Sequence, residues 1–321
     1  MQNQDYFTSP FTYRIQKTPS APVKVSGIGL HTGVETHVCL QPADANHGIQ
    51  FIRTDIPNSE SIPAHYNYVV ATDLATTVGN HNRPDARVGT VEHLMAALFA
   101  LGITNVLVEV DGPEIPILDG SAIPFVEALI ETGVSVQPYS TATLKIYKPV
   151  RVRQNGAICE LLPRDRLRIT TSIDFPHPVI GLQTYALDLT PNAFRSHLCS
   201  ARTFGFANDV ERLKQLRLAQ GASLQNVLAF SEDAILNPEG PRFEDECVRH
   251  KLLDAIGDLA LCGCWIEGEM VSHRGGHSIH RLLLQTLNDF PTHWERLPPE
   301  PIPAPVFARS RVSSLSTAVD Q

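Results

Sequence analysis

The sequence predicts an α+β protein built from two similar domains. Two observations carry this. From residue 23 to 133 the hydrophobic patterning runs as strands, helix, strand, helix, and after a polar, proline-containing segment the same order begins again at residue 144. A chain of 321 residues is also long enough for about two domains, each burying its own core. The halves align in the order of their elements but show no residue-level repeat.

Residues 23–52 alternate apolar and polar side chains around turns at Gly27, Gly29, Gly33 and 44–48, as short antiparallel strands do. Leu94, Ala97, Leu98 and Leu101 then recur on one face of a helix from 90 to 101, with Thr90 as its expected N-cap. NVLVEV at 105–110 reads as a strand, 111–121 as a turn-rich loop and 124–133 as a second helix ended by glycine. VQPYSTAT at 136–143 is the expected linker between domains 14–137 and 144–296. In the second, strands are expected at 144–153, 158–162 and 167–175, a long helix at 243–261 and a strand at 265–271. The Pro- and Ser-rich stretch 298–321 reads as a flexible tail.

With a net charge of −8 and no basic stripe, the chain is not expected to bind nucleic acid. The most apolar window, 91–110, contains Glu92, His93, Asn105 and Glu109 and is too polar to span a bilayer. Six cysteines without a CxxC pair fit free thiols, and with no signal peptide evident the expected location is the cytoplasm. GxSxG, P-loop and HExxH motifs are absent. GIGLHTG at 27–33 lacks both GxGxxG spacing and a following helix, so a dinucleotide site is rejected.

Four segments carry candidate chemistry. In RFEDECVRHKLLDAIGDLAL at 242–261, Glu246, His250, Asp254 and Asp258 recur every four residues on one helical face. A His and an Asp at i, i+4 reach a single metal ion, whereas a solvated row of intrahelical ion pairs is the plain alternative. In TVEHLMAAL at 90–98, Glu92 beside His93 suits a base next to a ligand, or simply an acid in the first turn of a helix with a core histidine. SHRGGHSIH at 272–280 holds His273, His277 and His280 around two glycines; a hairpin turn with exposed histidines is the simpler reading for His273 and His280. SARTFGF at 200–206 places Arg202 and Thr203 before two phenylalanines, either as a site or as an ordinary strand and turn.

At these residues the sequence resembles the UDP-3-O-acyl-N-acetylglucosamine deacetylases, the LpxC family of zinc amidases of lipid A biosynthesis. The blocks SGIGLHTG (26–33), TVEHLMAALFALGI (90–103), EIPILDGSAIPFV (114–126), ARTFGF (201–206), GPRFEDECVRHKLLDAIGDL (240–259) and GGH (275–277) occur in order over residues 20–290. The resemblance implies two layered sheet-and-helix domains with the site between them. It implies Zn2+ held by His93, His250 and Asp254, Glu92 as general base and His277 as general acid or oxyanion stabiliser. Asp258 would orient His277, Thr203 would bond the oxyanion, and Lys251, Phe204 and Arg274 would meet the substrate. It further implies that the substrate is a small UDP-linked sugar, that the chain is a monomer without membrane insertion, and that an insert at 207–235 lines an apolar passage for the acyl chain. Leu213, Leu216, Leu218, Leu224, Val227 and Leu228 are the apolar candidates there, each equally well read as packing on its own domain.

The chain departs from the family pattern at Ala75 and Thr77, where many relatives carry cysteine or other residues, and at Arg274, where lysine is frequent. It also has no clear basic counterpart around residues 154–157. None of these positions is a proposed metal ligand, acid or base. Two rivals remain open: a nucleotide-sugar binding protein without turnover, and a zinc deacetylase of another N-acetyl substrate.

Overall fold

The computed structural model describes residues 15–303 and is an α+β structure. Two five-stranded sheets dominate it, and their ten strands are numbered here. The first contains β1 (Val23–Ile28), β2 (Glu35–Pro42), β3 (Ile49–Arg53), β4 (Ile62–Pro63) and β5 (Val106–Val110) in the order β1-β2-β5-β3-β4. The second contains β6 (Val150–Gln154), β7 (Ala157–Leu162), β8 (Arg168–Phe175), β9 (Gly181–Asp188) and β10 (Glu269–His273) in the order β6-β7-β10-β8-β9. In each sheet the returning fifth strand is parallel to the third and antiparallel to the second. The topologies coincide strand for strand, so the halves are duplicates in architecture, as the order of elements predicts.

Helices occupy matching places. α1 (Glu92–Leu101) lies between β4 and β5, and α2 (Ile123–Thr132) follows β5. α3 (Pro191–His197) and α4 (Val210–Gln215) come after β9 and precede α5 (Glu246–Ala260), while α6 (His277–Thr286) follows β10. α1 and α5 pack on each other, α2 covers β1, and α6 covers β6 and β7. One continuous apolar core therefore runs through both halves, from Val23 and Leu40 to Leu283 and Leu287.

This central pairing explains a departure from the sequence pattern. The one-sided periodicity of 90–101 predicts an amphipathic helix, yet every residue of α1 except Phe99 is buried. The second face is covered by α5, a tertiary contact that periodicity within one helix does not encode. Nor does Thr90 cap α1. It sits at φ +54 and its hydroxyl donates to Glu114 at 2.7 Å, and the helix begins after Val91 without a side-chain cap.

The expected linker is also different. Val134–Ser140 is a strand paired antiparallel with Ile15–Pro19, because VSVQPYS alternates sufficiently to form a sheet edge, where Pro138 is tolerated. Of the expected tail, residues 300 and 302 bond the backbone of Ser140 and Pro138, and 304–321 lie outside the described residues. The glycines of SHRGGHSIH form no hairpin: they precede α6, which begins at His277 itself.

Candidate metal centre and acid–base site

The i, i+4 spacing places His250, Asp254 and Asp258 along one side of α5, all at most 3% exposed. The solvated-row alternative is thereby excluded for these three. α1 crosses α5 and brings Glu92 and His93 to the same row. His250 Nε2 lies 3.3 Å and His93 Nε2 3.6 Å from Asp254 Oδ1. The donor atoms of His93, His250 and Asp254 lie within 4.8 Å of one another, the one such group of three among the described residues.

The donor set suits a divalent ion. Asp254 Oδ1 is buried and has no hydrogen-bond partner, which is costly unless something else satisfies it. His250 Nδ1 bonds the Ala201 carbonyl at 3.0 Å, so it carries the proton and leaves Nε2 bare toward Asp254. Burial pushes His250 down to about 4 against the pull of Asp254, keeping the imidazole neutral as a ligand must be. Lys251 Nζ caps the other Asp254 oxygen at 2.8 Å. Burial opposes the charge on Asp254, but the surrounding imidazoles and the Lys251 ammonium together hold the carboxyl well below the usual range.

Beside the three lie Glu92 and His277, the candidate base and acid. His277, at the first position of α6, has Nε2 3.8 Å from Glu92 Oε1 and Nδ1 2.8 Å from Asp258 Oδ2. Burial raises the Glu92 carboxyl above its ordinary value, with His277 and His93 pulling it back. Burial also disfavours a charged His277, yet Asp258 and then Glu92 outweigh this and lift it to about 9. At neutral pH the histidine is therefore protonated, and Asp258 is held ionised, against its burial, by the charge and hydrogen bond of His277 and by the hydrogen bond of His280.

Phe204 presents its ring edge-on to His250 at 6.3 Å between centroids. Thr203 is half-buried just before the short strand Phe204–Phe206, its backbone N–H donating to Gly120 O at 2.7 Å. Arg274 is exposed on the turn before α6 at φ +52 and makes no side-chain ion pair among the described residues. Glu246 shares the helical face of the metal row but has another partner: Arg202, buried beside it, whose Nε and backbone N–H donate to Glu246 Oε1, each at 2.9 Å. The pair anchors residues 201–203 and with them the carbonyl that orients His250.

Four participants are missing from the motif reading. His280, read as exposed, is 2% exposed and places Nδ1 2.8 Å from the same Asp258 oxygen as His277. The i, i+3 spacing of the two histidines was the available signal, and it has meaning only once 277–286 is a helix. Thr76 donates its backbone N–H to Glu92 Oε2 at 3.0 Å and its hydroxyl to Asp258 Oδ1 at 2.6 Å, a role with no signal in the surrounding sequence. His31 and Glu114 come together because the loop rejected as a phosphate site wraps the Glu114 carboxylate, which accepts the backbone N–H of His31 and Thr32. Both His31 ring nitrogens are buried without partners, and burial lowers its pKa, with Glu114 opposing and the charge of His277 reinforcing.

Known proteins are similar to this chain over most of its length. The family model described as UDP-3-O-acyl N-acetylglycosamine deacetylase matches residues 16–289. A UDP-3-O-acyl-N-acetylglucosamine deacetylase of Myxococcus xanthus is 46% identical over 289 residues, covering 90% of this chain and 91% of the relative. The enzymes of that name from Brucella melitensis biotype 2 and Brucella abortus strain 2308 are each 46% identical over 281 residues, covering 87% of this chain and 97% of theirs.

Proposed function

Because the chain belongs to the LpxC family of UDP-3-O-acyl N-acetylglycosamine deacetylases, we propose that it hydrolyses the acetamide of UDP-3-O-acyl-N-acetylglucosamine to the free amine and acetate, with Zn2+ held by His93, His250 and Asp254. The observation that carries the reading is the unpartnered, buried Asp254 Oδ1 facing two imidazole nitrogens, with Glu92 and His277 poised alongside.

Held by His93, His250 and Asp254, the ion would supply Lewis acidity toward an unreactive amide carbonyl and would lower the pKa of water toward about 7. Glu92, a buried carboxylate, takes the proton from the attacking water. His277, protonated and steadied by Asp258, delivers a proton to the departing amine, which is too basic to leave as an anion. Thr203, next to Phe204 in the chain, bonds the oxygen on which charge develops. Lys251, tied to Asp254, adds positive charge near the carbonyl, and Phe204 packs beside the sugar. Arg274 is the exposed cation for the diphosphate, its planar fork suited to phosphate oxygens.

The insert at 207–235 is the proposed acyl-chain passage. Its backbone at 220 and 221 bonds the carbonyls of His31 and Leu30, which joins it to the site loop, and Leu216 and Leu224 are exposed there. Leu228 is buried in a small core with Ile173, Phe230 and Val248 and is read as structural. We take the two domains as 14–137 and 144–296. No helix among the described residues is long and apolar enough to cross a membrane, and with six free thiols we place the enzyme in the cytoplasm, taking its substrate as a soluble molecule or from a membrane surface.

The test is the metal content of the purified protein together with acetate release from UDP-3-O-acyl-N-acetylglucosamine, before and after chelation. About one zinc per chain, with activity lost on chelation and restored by zinc, is expected. Zinc without acetate release favours a binding protein or another N-acetyl substrate, and absence of metal refutes the ligand assignment.

A further inference from the structure

Asp258 has more partners than orienting one histidine requires. Its Oδ1 accepts the Thr76 hydroxyl at 2.6 Å, and its Oδ2 accepts two imidazoles at 2.8 Å each, those of His277 and His280. A carboxylate can only accept, so both histidines donate through Nδ1. They stand one turn apart on α6 and reach the same oxygen. On its far side His280 Nε2 lies 3.0 Å from Ser272 Oγ on β10. With the Nδ1 proton committed to Asp258, Nε2 is free to accept the Ser272 hydroxyl, so Ser272 supports the tautomer that His280 needs to serve Asp258.

The surrounding backbone is shaped for this arrangement. A Cβ on Gly275 would lie 2.0 Å from Ser272 Oγ and 2.9 Å from His280 Nε2, so this position of the turn accepts no side chain. Asp258, His280 and Ser272 are each at most 3% exposed, and water is a poor substitute for any of these donors.

We propose that His280 is a positioning residue: by donating to the same Asp258 Oδ2 as His277, it fixes the carboxylate plane and thereby the direction in which His277 presents Nε2 to the reacting centre. Thr76 does the same from the other oxygen and, through its backbone N–H, ties that orientation to Glu92. The acid and the base are thus referenced to one another through buried groups that never touch substrate. The inference rests on the reading of His277 as the acid of the proposed deacetylation.

The experiment compares His280→Leu, which removes the donor, with His280→Asn, which restores an N–H at a similar reach. In zinc-loaded protein, His280→Leu is expected to lower kcat roughly 10- to 100-fold, the scale of a misdirected catalytic group, with KM within about two-fold of wild type and zinc retained. His280→Asn is expected to recover most of kcat. Independently of turnover, the His277 Nδ1 proton of the His277–Asp258 hydrogen bond should appear as a slowly exchanging downfield NMR resonance in the wild type and in His280→Asn, and be lost or broadened in His280→Leu.

An unchanged kcat and an unchanged resonance in folded His280→Leu overturn the proposal, as does His280→Asn being equally impaired or loss of zinc in place of kcat. A wild-type protein without acetate release refutes the deacetylase reading, while the resonance still decides the positioning role. Should His280→Leu fail to fold, Thr76→Val, which removes the donor on the other carboxylate oxygen, carries the same readouts.

Discussion

Gly257 of α5 lies directly on the backbone of Glu92 in α1: a Cβ at Gly257 would stand 2.0 Å from the Glu92 carbonyl oxygen. The two helices cross at this point, and no other residue lets them approach so closely. The crossing lies between Asp254 and Asp258 on one helix and at Glu92 and His93 on the other, so it assembles the metal ligands with the base.

Gly257→Ala tests that geometry. In a free helix alanine is better than glycine by about 1 kcal/mol. Here the clash is with backbone, which does not yield by rotating a side chain, and overpacking of this kind costs roughly 1–3 kcal/mol or more. The expected result is a lower denaturation midpoint together with weakened metal binding, read by thermal melts and metal analysis. A variant more stable than the wild type with full metal content would show that the helices are free to separate.

The Arg202–Glu246 pair is expected to be structural despite its position in the candidate motifs. Both side chains are at most 2% exposed, and without Glu246 the buried guanidinium keeps only the largely exposed Glu239 carboxylate and the Gly240 carbonyl as partners. Glu246→Leu should cost on the order of 3–5 kcal/mol in chemical denaturation, whereas the double replacement with apolar residues should cost much less. Equal losses in the single and double variants would contradict this account.

Activity should have a bell-shaped pH dependence. Glu92 must be ionised to accept a proton, so the rate rises through its elevated pKa. His277 must be protonated to donate, so the rate falls as pH passes about 9. Glu92→Ala should retain zinc and lose about 100-fold or more in kcat, while His277→Ala should lose rate and abolish the alkaline limb, checked by kcat/KM profiles. A rate within a few-fold of wild type in Glu92→Ala would discard the assigned base.

Lys17 is a buried cation with its Nζ 3.4 Å from the Leu101 carbonyl at the end of α1, and burial lowers its pKa from 10.5 to about 8. A folded-state value below the unfolded one means that the fold works against protonation below about pH 8 and is relieved as pH rises toward 10.5. Lys17→Met should therefore be more stable at pH 7, by on the order of 3 kcal/mol, with the difference closing near pH 11 in guanidinium titrations. An unchanged or reduced stability at pH 7 would show that the carbonyl contact outweighs the desolvation.

The periodicities of the sequence determined which residues share a face. A period of two marks the strands of both sheets, and the four-residue recurrence of His250, Asp254 and Asp258 places them in one row, because helix and strand geometry are local. Blocks such as TVEH and GPRFEDECVRHKLLDAIGDL also carried the family and the candidate ligands. Tertiary structure decided what each face meets. It buried α1 on both sides, turned 136–140 of the expected linker into strand and gave Glu246 to Arg202 in place of the metal row. It also started a helix at His277, so that His280, expected on the surface, bonds Asp258. These outcomes depend on which backbone lies opposite, as at Gly257 and Glu92, and on the demand that every buried polar group find a partner, a condition satisfied between distant segments and not within any one of them.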